Sequence, residues 1–236
     1  MNEVEELAAA REALRAHLEA LVGPGAIPRL EEALTHPSYA NETGVADNQR
    51  LEFLGDAVLG LCVSEMLAVA HASADEGKLT RMRSALVNAE ALASWARRVN
   101  LGECVAFGRG AKLGTEREQT NVLADAAEAL VAAVYGARGL EGARALVRDV
   151  VRDLFDRADS LSVPDAKSAL QERVQARGLP APTYRVVDVR GLAHEQVFVV
   201  EVLVGEEAAA RGEGRSKRLA ERAAAMQALA DMGVET

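Results

Sequence analysis

The ten residues Asn48-Gln49-Arg50-Leu51-Glu52-Phe53-Leu54-Gly55-Asp56-Ala57 constrain this chain more than any others. Leu51, Leu54, Val58 and Leu61 recur at the three- and four-residue spacing of one apolar helical face, which Cys62 extends, so the stretch predicts a buried helix. Glu52 and Asp56 then stack one turn apart on a neighbouring face. Like charges at this spacing cost a helix roughly 0.2–0.5 kcal/mol even in water, and more where solvent is excluded. A divalent cation relieves that repulsion, and hard oxygen ligands on a rigid element suit Mg²⁺. A second acidic pair, Asp125 and Glu128, stands three apart in Asn121-Val122-Leu123-Ala124-Asp125-Ala126-Ala127-Glu128-Ala129-Leu130, among alanines and leucines that pattern as core. If the two helices pack together, four carboxylates converge on one small volume.

The 236 residues suffice for one large or two modest domains with real cores. Ala, Leu, Glu and Arg dominate and aromatic residues make up 3%, a composition that leans helical. No apolar run approaches the roughly 20 residues of a bilayer span, so no membrane partner is expected. The N-terminal residues are acidic where a secretory signal is basic. Cys62 and Cys104 have neither metal-ligand spacing nor a disulfide framework, and a cytoplasmic location with reduced thiols is expected. The net charge is −9: residues 1–164 hold 17 Lys+Arg against 25 Asp+Glu, and residues 165–236 hold 10 against 11. Neither part has a basic excess, so contact with a nucleic acid has to rest on local clusters and metal ions.

A helical pattern begins at Asn2, with Leu7, Leu14, Leu18 and Leu21 as anchors, and Gly23-Pro24-Gly25 ends it. Further helical stretches follow to about Asp159. Residues 160–164 form a short polar stretch closed by proline, which reads as a linker. Beyond it, residues 165–177 are helical and stop at Gly178. Residues 183–190 and 196–204 are valine-rich with strand spacing, 208–212 make a short third strand, and 216–232 return to a helix with Leu219, Ala223, Met226 and Ala230 on one face. Helix, three strands and helix over about 70 residues make an α+β unit. Ser216 is a plausible N-cap that places Lys217 and Arg218 in the first turn, where the macrodipole disfavours cations. A bound phosphate reconciles the two.

The stretches at 48–57 and 122–130 resemble the signature helix and second acidic helix of bacterial ribonuclease III, an endonuclease of double-stranded RNA. Leu34-Thr35-His36-Pro37-Ser38-Tyr39 and Glu76-Gly77-Lys78-Leu79-Thr80-Arg81-Met82-Arg83 extend the similarity, which covers nearly the whole chain. The resemblance implies an all-α nuclease domain over residues 1–159 and a small α-β-β-β-α RNA-binding domain over 165–236. It implies that Glu52, Asp56, Asp125 and Glu128 are the ligands of Mg²⁺, with Mn²⁺ able to substitute, and that Asp56 and Glu128 are catalytic. The products implied have 5′-phosphate and 3′-hydroxyl ends with a two-nucleotide 3′ overhang, made by a homodimer acting on ribosomal RNA precursors and other structured transcripts.

In the smaller domain the resemblance implies that Lys217 and Arg218 contact phosphates across the major groove. Gln171, Glu172, Gln175 and His194 would meet successive minor grooves, where 2′-hydroxyls distinguish RNA from DNA. Gln49 stands where many relatives carry a glutamate, so an accessory carboxylate is replaced by a neutral amide. Glu76 matches a second accessory acid, and Arg109, between two glycines, is a third accessory position. His36 reads as structural. Glu221 stands where many such domains carry a basic residue, which implies modest phosphate affinity.

Overall fold

The computed structural model describes residues 3–110, 115–161, 166–191 and 196–233, with side chains from residue 5 onward. The chain divides into two units, Met1–Ser162 and Val163–Thr236. The first runs α1 (Glu3–Val22), α2 (Leu30–Ala33), α3 (Pro37–Thr43), α4 (Gln49–Ala70), α5 (Glu76–Val87), α6 (Ala89–Arg98), α7 (Leu101–Cys104), a short 3₁₀ turn (Glu116–Glu118), α8 (Thr120–Phe155) and α9 (Ala158–Leu161). Its one extended pairing among the described residues is the parallel bridge between Thr35 and Ala106. Ser160 and Leu161, expected in the linker, lie in α9, and residues 162–164 lie outside the described residues.

Small residues decide where α4 and α8 meet. Alanines 124, 126, 127, 129, 132 and 133 of α8 are all buried. A Cβ at Gly55 of α4 would stand 1.8 Å from the Glu128 carbonyl oxygen, so the two backbones are in direct contact there. A glycine inside a helix costs about 1 kcal/mol relative to alanine, which the close crossing offsets. α8 is kinked at Gly139, whose φ of 64° lies in the left-handed region. Asp149, buried beyond the kink, accepts hydrogen bonds from the Trp95 indole at 2.8 Å and from His17 Nε2 at 3.2 Å. Arg98 donates to the Asp149 carbonyl at 2.7 Å, so α1, α6 and α8 are tied at one point.

The inward face of α4 differs from the expected one. Leu51, Val58 and Cys62 are buried, together with Gly55, Leu59, Val63 and Leu67, whereas Leu54 and Leu61 are exposed. With Phe53, 82% exposed, and Val69, 84% exposed, they leave an apolar stripe along the outside of the helix. The close contact at Gly55 turns the helix so that these larger side chains point away from α8. α4 also has the length and hydropathy of a bilayer span, contrary to the expectation that no segment approaches one. It is the central helix of the unit, with six of its apolar side chains and one glycine in the interior.

The second unit runs α10 (Ala166–Ala176), β1 (Thr183–Arg190), β2 (Val197–Val204), β3 (Glu207–Gly214) and α11 (Lys217–Asp231). The strands form an antiparallel sheet in the order β1-β2-β3. Leu170, Val174, Val200 and Val202 pack with Ala220, Ala224, Ala225, Ala228 and Leu229 between sheet and helices. On the other face Glu201 is buried between Arg185 at 2.6 Å and Arg211 at 2.9 Å, its partners in register on the two neighbouring strands. The inward face of α11 is also not the expected one, since Leu219 and Met226 are exposed. Cβ atoms at Gly212 and Gly214 would meet the α11 backbone at 2.1 and 2.6 Å, so β3 and α11 are in direct backbone contact there. A helical domain followed by an α-β-β-β-α domain is the architecture expected.

Candidate active site and nucleic-acid interface

Asn48, buried ahead of α4, donates its backbone N–H to the Thr35 carbonyl at 3.0 Å, and its own carbonyl accepts from Glu52 N–H at 2.8 Å. The start of α4 is thus anchored to the segment that pairs with Ala106. There His36 caps α3: its Nδ1 accepts from the Ser38 backbone N–H at 3.1 Å and lies 2.8 Å from Ser38 Oγ, which accepts from Gly108 N–H at 3.0 Å. His36 thus caps α3, with its ring 5.0 Å from that of Phe107. Burial lowers its pKa, while Asp125, Glu116 and Asp47 pull it back up.

Carboxylate oxygens of Glu52, Asp125 and Glu128 all lie within 4.8 Å of one another. Each residue is half-buried, and between Leu123 and Val134 of α8 every other residue is buried. Burial raises the pKa of all three. Glu128 is pushed up to about 7, by burial first and then by the charges of Asp56, Asp125 and Glu52. Asp56 is exposed and outside the close trio, one turn farther along α4, yet near enough to act on Glu128. The donor set is all oxygen and anionic, and beyond burial the charges of Asp125 and Asp56 push both Glu52 and Glu128 upward. That chemistry fits a hard divalent cation.

The raised pKa of Glu128 has a consequence for stability. Between 4.5, its ordinary value, and about 7 the folded metal-free chain holds a proton at Glu128 that the unfolded chain has lost. Its contribution is therefore fully present below pH 4.5 and is lost as the pH rises through about 7. Glu128→Gln is expected to stabilise the metal-free protein at pH 8 on the order of 1 kcal/mol, discounted for solvent screening at a half-open site. At pH 5 the gain should vanish. Thermal unfolding in a chelator at the two pH values measures the difference, and equal effects at both would contradict it.

The accessory positions are all exposed. Gln49 is exposed and donates its backbone N–H to Asp47 Oδ1 at 3.1 Å. Glu76 is exposed and accepts from Thr80 Oγ1 at 2.9 Å. Arg109 is exposed, with its backbone N–H donated to Glu42 at 2.8 Å. Gly55, His36 and Asp47 are contributors that the acidic pattern alone did not expose; a lone glycine between two acids of an apolar helix was the available signal for the first.

In the second unit Gln171, Glu172 and Gln175 are exposed on α10, and Lys217 and Arg218 are exposed at the start of α11. Ser216 caps that helix, its side chain accepting from Leu219 N–H at 3.3 Å. A groove of about 870 Å³ runs between the two helices, with Gln171, Lys217 and Arg218 in its walls. Glu221 pairs with Lys167 at 2.6 Å. His194 lies outside the described residues.

Fold and site together define a nuclease domain joined to a domain for double-stranded RNA. The chain belongs to the ribonuclease III family: residues 29–154 match the family described as Ribonuclease-III-like, and residues 166–232 match the double-stranded RNA binding motif. Ribonuclease 3 of Phenylobacterium zucineum is 44% identical over 219 residues, 92% of each chain. That of Syntrophomonas wolfei is 44% identical over 84% of this chain and 86% of its own. A solved nuclease domain of ribonuclease III from Campylobacter jejuni, described for flexibility in a region involved in dimer formation, is 34% identical with a TM-score of 0.54. It covers 59% of this chain and 96% of that one.

Proposed function

We propose that this protein hydrolyses phosphodiester bonds of double-stranded RNA with the aid of Mg²⁺, for which Mn²⁺ can substitute. The observation that carries the reading is the convergence of Glu52, Asp125 and Glu128, from two distant segments, within 4.8 Å. Glu52, Asp56, Asp125 and Glu128 are the proposed ligands, Asp56 and Glu128 the catalytic pair. When bound, the cation lowers the pKa of water and neutralises charge on the phosphoryl and leaving oxygens. The chain itself holds the four carboxylates on two helices in backbone contact, and Glu128, with a pKa of about 7, can hold or release a proton near neutrality. Water adds to phosphorus and the 3′-oxygen leaves with a proton, giving 5′-phosphate and 3′-hydroxyl ends.

The proposed organisation is a nuclease domain that runs through α9 and an RNA-binding domain over 165–236, joined by the short segment between them. Gln171, Glu172, Gln175 and His194 are proposed minor-groove contacts, Lys217 and Arg218 phosphate contacts, and Gln49, Glu76 and Arg109 accessory positions. The exposed stripe of Phe53, Leu54, Leu61 and Val69 supports a homodimer, because an apolar strip of this kind on one helix marks an association surface. Two such sites cutting opposite strands give a two-nucleotide 3′ overhang. Ribosomal RNA precursors and structured messenger transcripts in the cytoplasm are the proposed substrates.

Incubation with long double-stranded RNA tests the activity. Short duplexes are expected with Mg²⁺ and none in chelator; intact RNA under both conditions would leave a binding protein instead of an enzyme. Lys217→Ala with Arg218→Ala is expected to weaken binding equally on all duplex sequences and to reduce the salt slope by about one per residue. An unchanged slope would remove both from the interface.

A further inference from the structure

Lys167, in the first turn of α10, joins three elements of the second unit. Its Nζ lies 2.6 Å from Glu221 Oε2 on α11 and 4.6 Å from the centre of the Tyr184 ring on β1. The pair is partly shielded, with side-chain exposures of 36% and 27%. Its place in the sequence of the two helices is informative. Gln171 follows Lys167 by four residues on α10, and Lys217 precedes Glu221 by four on α11, so each proposed RNA contact stands one turn from one member of the pair on the same helical face. All four side chains line the groove between the helices.

We propose that Lys167 and Glu221 are positioning residues that brace α10 against the start of α11, holding Gln171 and Lys217 at the separation from which both reach one RNA duplex. The brace rests on the proposed function, in which those two residues touch RNA. Nζ also sits over the face of an aromatic ring, which favours a cation and limits the directions in which Lys167 can turn. Glu221, a lost phosphate contact by sequence, is here the partner that keeps the groove in shape. The two roles have opposite signs. A carboxylate that merely repels phosphate weakens binding while present; a brace strengthens it.

The test uses the full-length protein and a short RNA duplex in chelator, with cleavage of long duplex in Mg²⁺ measured alongside. Glu221→Gln is expected to weaken duplex binding about threefold to fivefold, the scale of one partly shielded ion pair. It should raise KM without lowering kcat and leave the thermal unfolding temperature in place. Lys167→Met, which keeps an unbranched side chain but not the charge, should behave alike. The exchanged pair, Lys167→Glu with Glu221→Lys, should recover most of the affinity lost by either single variant. Unchanged or tighter binding by Glu221→Gln overturns the brace. So does weaker binding that follows a fall in unfolding temperature and is not recovered by the exchanged pair. Lys217→Ala separates the brace from its premise: if that variant binds like the parent, the interface reading falls and the brace with it. If it binds more weakly while Glu221→Gln does not, the brace alone falls.

Discussion

Glu128→Ala is expected to lower cleavage of long double-stranded RNA by more than about a hundredfold, while duplex binding in chelator stays at the parent level. Loss of a partner outside the coordination sphere of a metal typically costs 10- to 100-fold, and Glu128 is itself a proposed ligand. Its carboxylate closes the trio with Glu52 and Asp125, and the residues that flank it on α8, Ala126, Ala127, Ala129 and Leu130, are buried and carry no side-chain oxygen to replace it. Binding should survive because the proposed RNA contacts lie on α10 and α11 of the other unit. Asp56→Ala is expected to act in the same way although Asp56 stands outside the trio, since its charge reaches Glu128. Loss of cleavage and binding together would instead assign these acids a folding role. Removal of a mutually repelling carboxylate should, if anything, stabilise the metal-free fold.

Gly55→Ala is expected to be the most damaging single methyl group in the first unit. The added carbon would meet the Glu128 carbonyl oxygen at 1.8 Å and its carbon at 2.4 Å, both backbone atoms that cannot turn aside. Forced separation of packed elements costs about 1–3 kcal/mol, against a gain of about 1 kcal/mol in helix propensity. The effect on activity should exceed the effect on stability. α4 carries Glu52 and Asp56 and α8 carries Asp125 and Glu128, so parting the helices opens the acidic cluster, and a displacement of about 1 Å can cost 100-fold in rate. Gly136 of α8 has nothing within 4 Å of the same position, so Gly136→Ala is the control, expected to be neutral or slightly stabilising. Thermal unfolding and cleavage rates of the two variants decide the matter; equal behaviour would mean that the helices do not touch at Gly55.

The same contact shows why some of the architecture was legible in the sequence and some was not. The valine-rich segments announced β1 and β2 nearly to the residue, and Ser216 announced the cap of α11, because strand alternation and capping are local properties. The inward faces of α4 and α11 depart from the periodicity for a shared reason. In both helices large apolar residues, Leu54 and Leu61 or Leu219 and Met226, are expected on the buried side, whereas the tightest contacts run from backbone to backbone, at Gly55 of α4 and where α11 meets Gly212 and Gly214. Periodicity identifies a helix with more than one apolar face but not which face a close-packed neighbour selects. β3 extends beyond its expected ends at Ala208 and Gly212 because main-chain pairing with β2 continues through residues whose side chains carry no strand signal. The acids were legible because charge in apolar sequence is conspicuous; their separation in space, and the exposure of Asp56, depended on the crossing.

Calorimetric titration of Mg²⁺ into the metal-stripped protein at pH 6.5, beside the Asp125→Ala variant, tests the acidic cluster most directly. Glu128 is partly protonated near its pKa of about 7, so binding should be saturable in the parent and accompanied by proton release, as expected when ligands must be deprotonated to bind. The variant should show neither. Equal Mg²⁺ uptake by both proteins, or uptake without proton release, would contradict a cation held between the acids of α4 and α8.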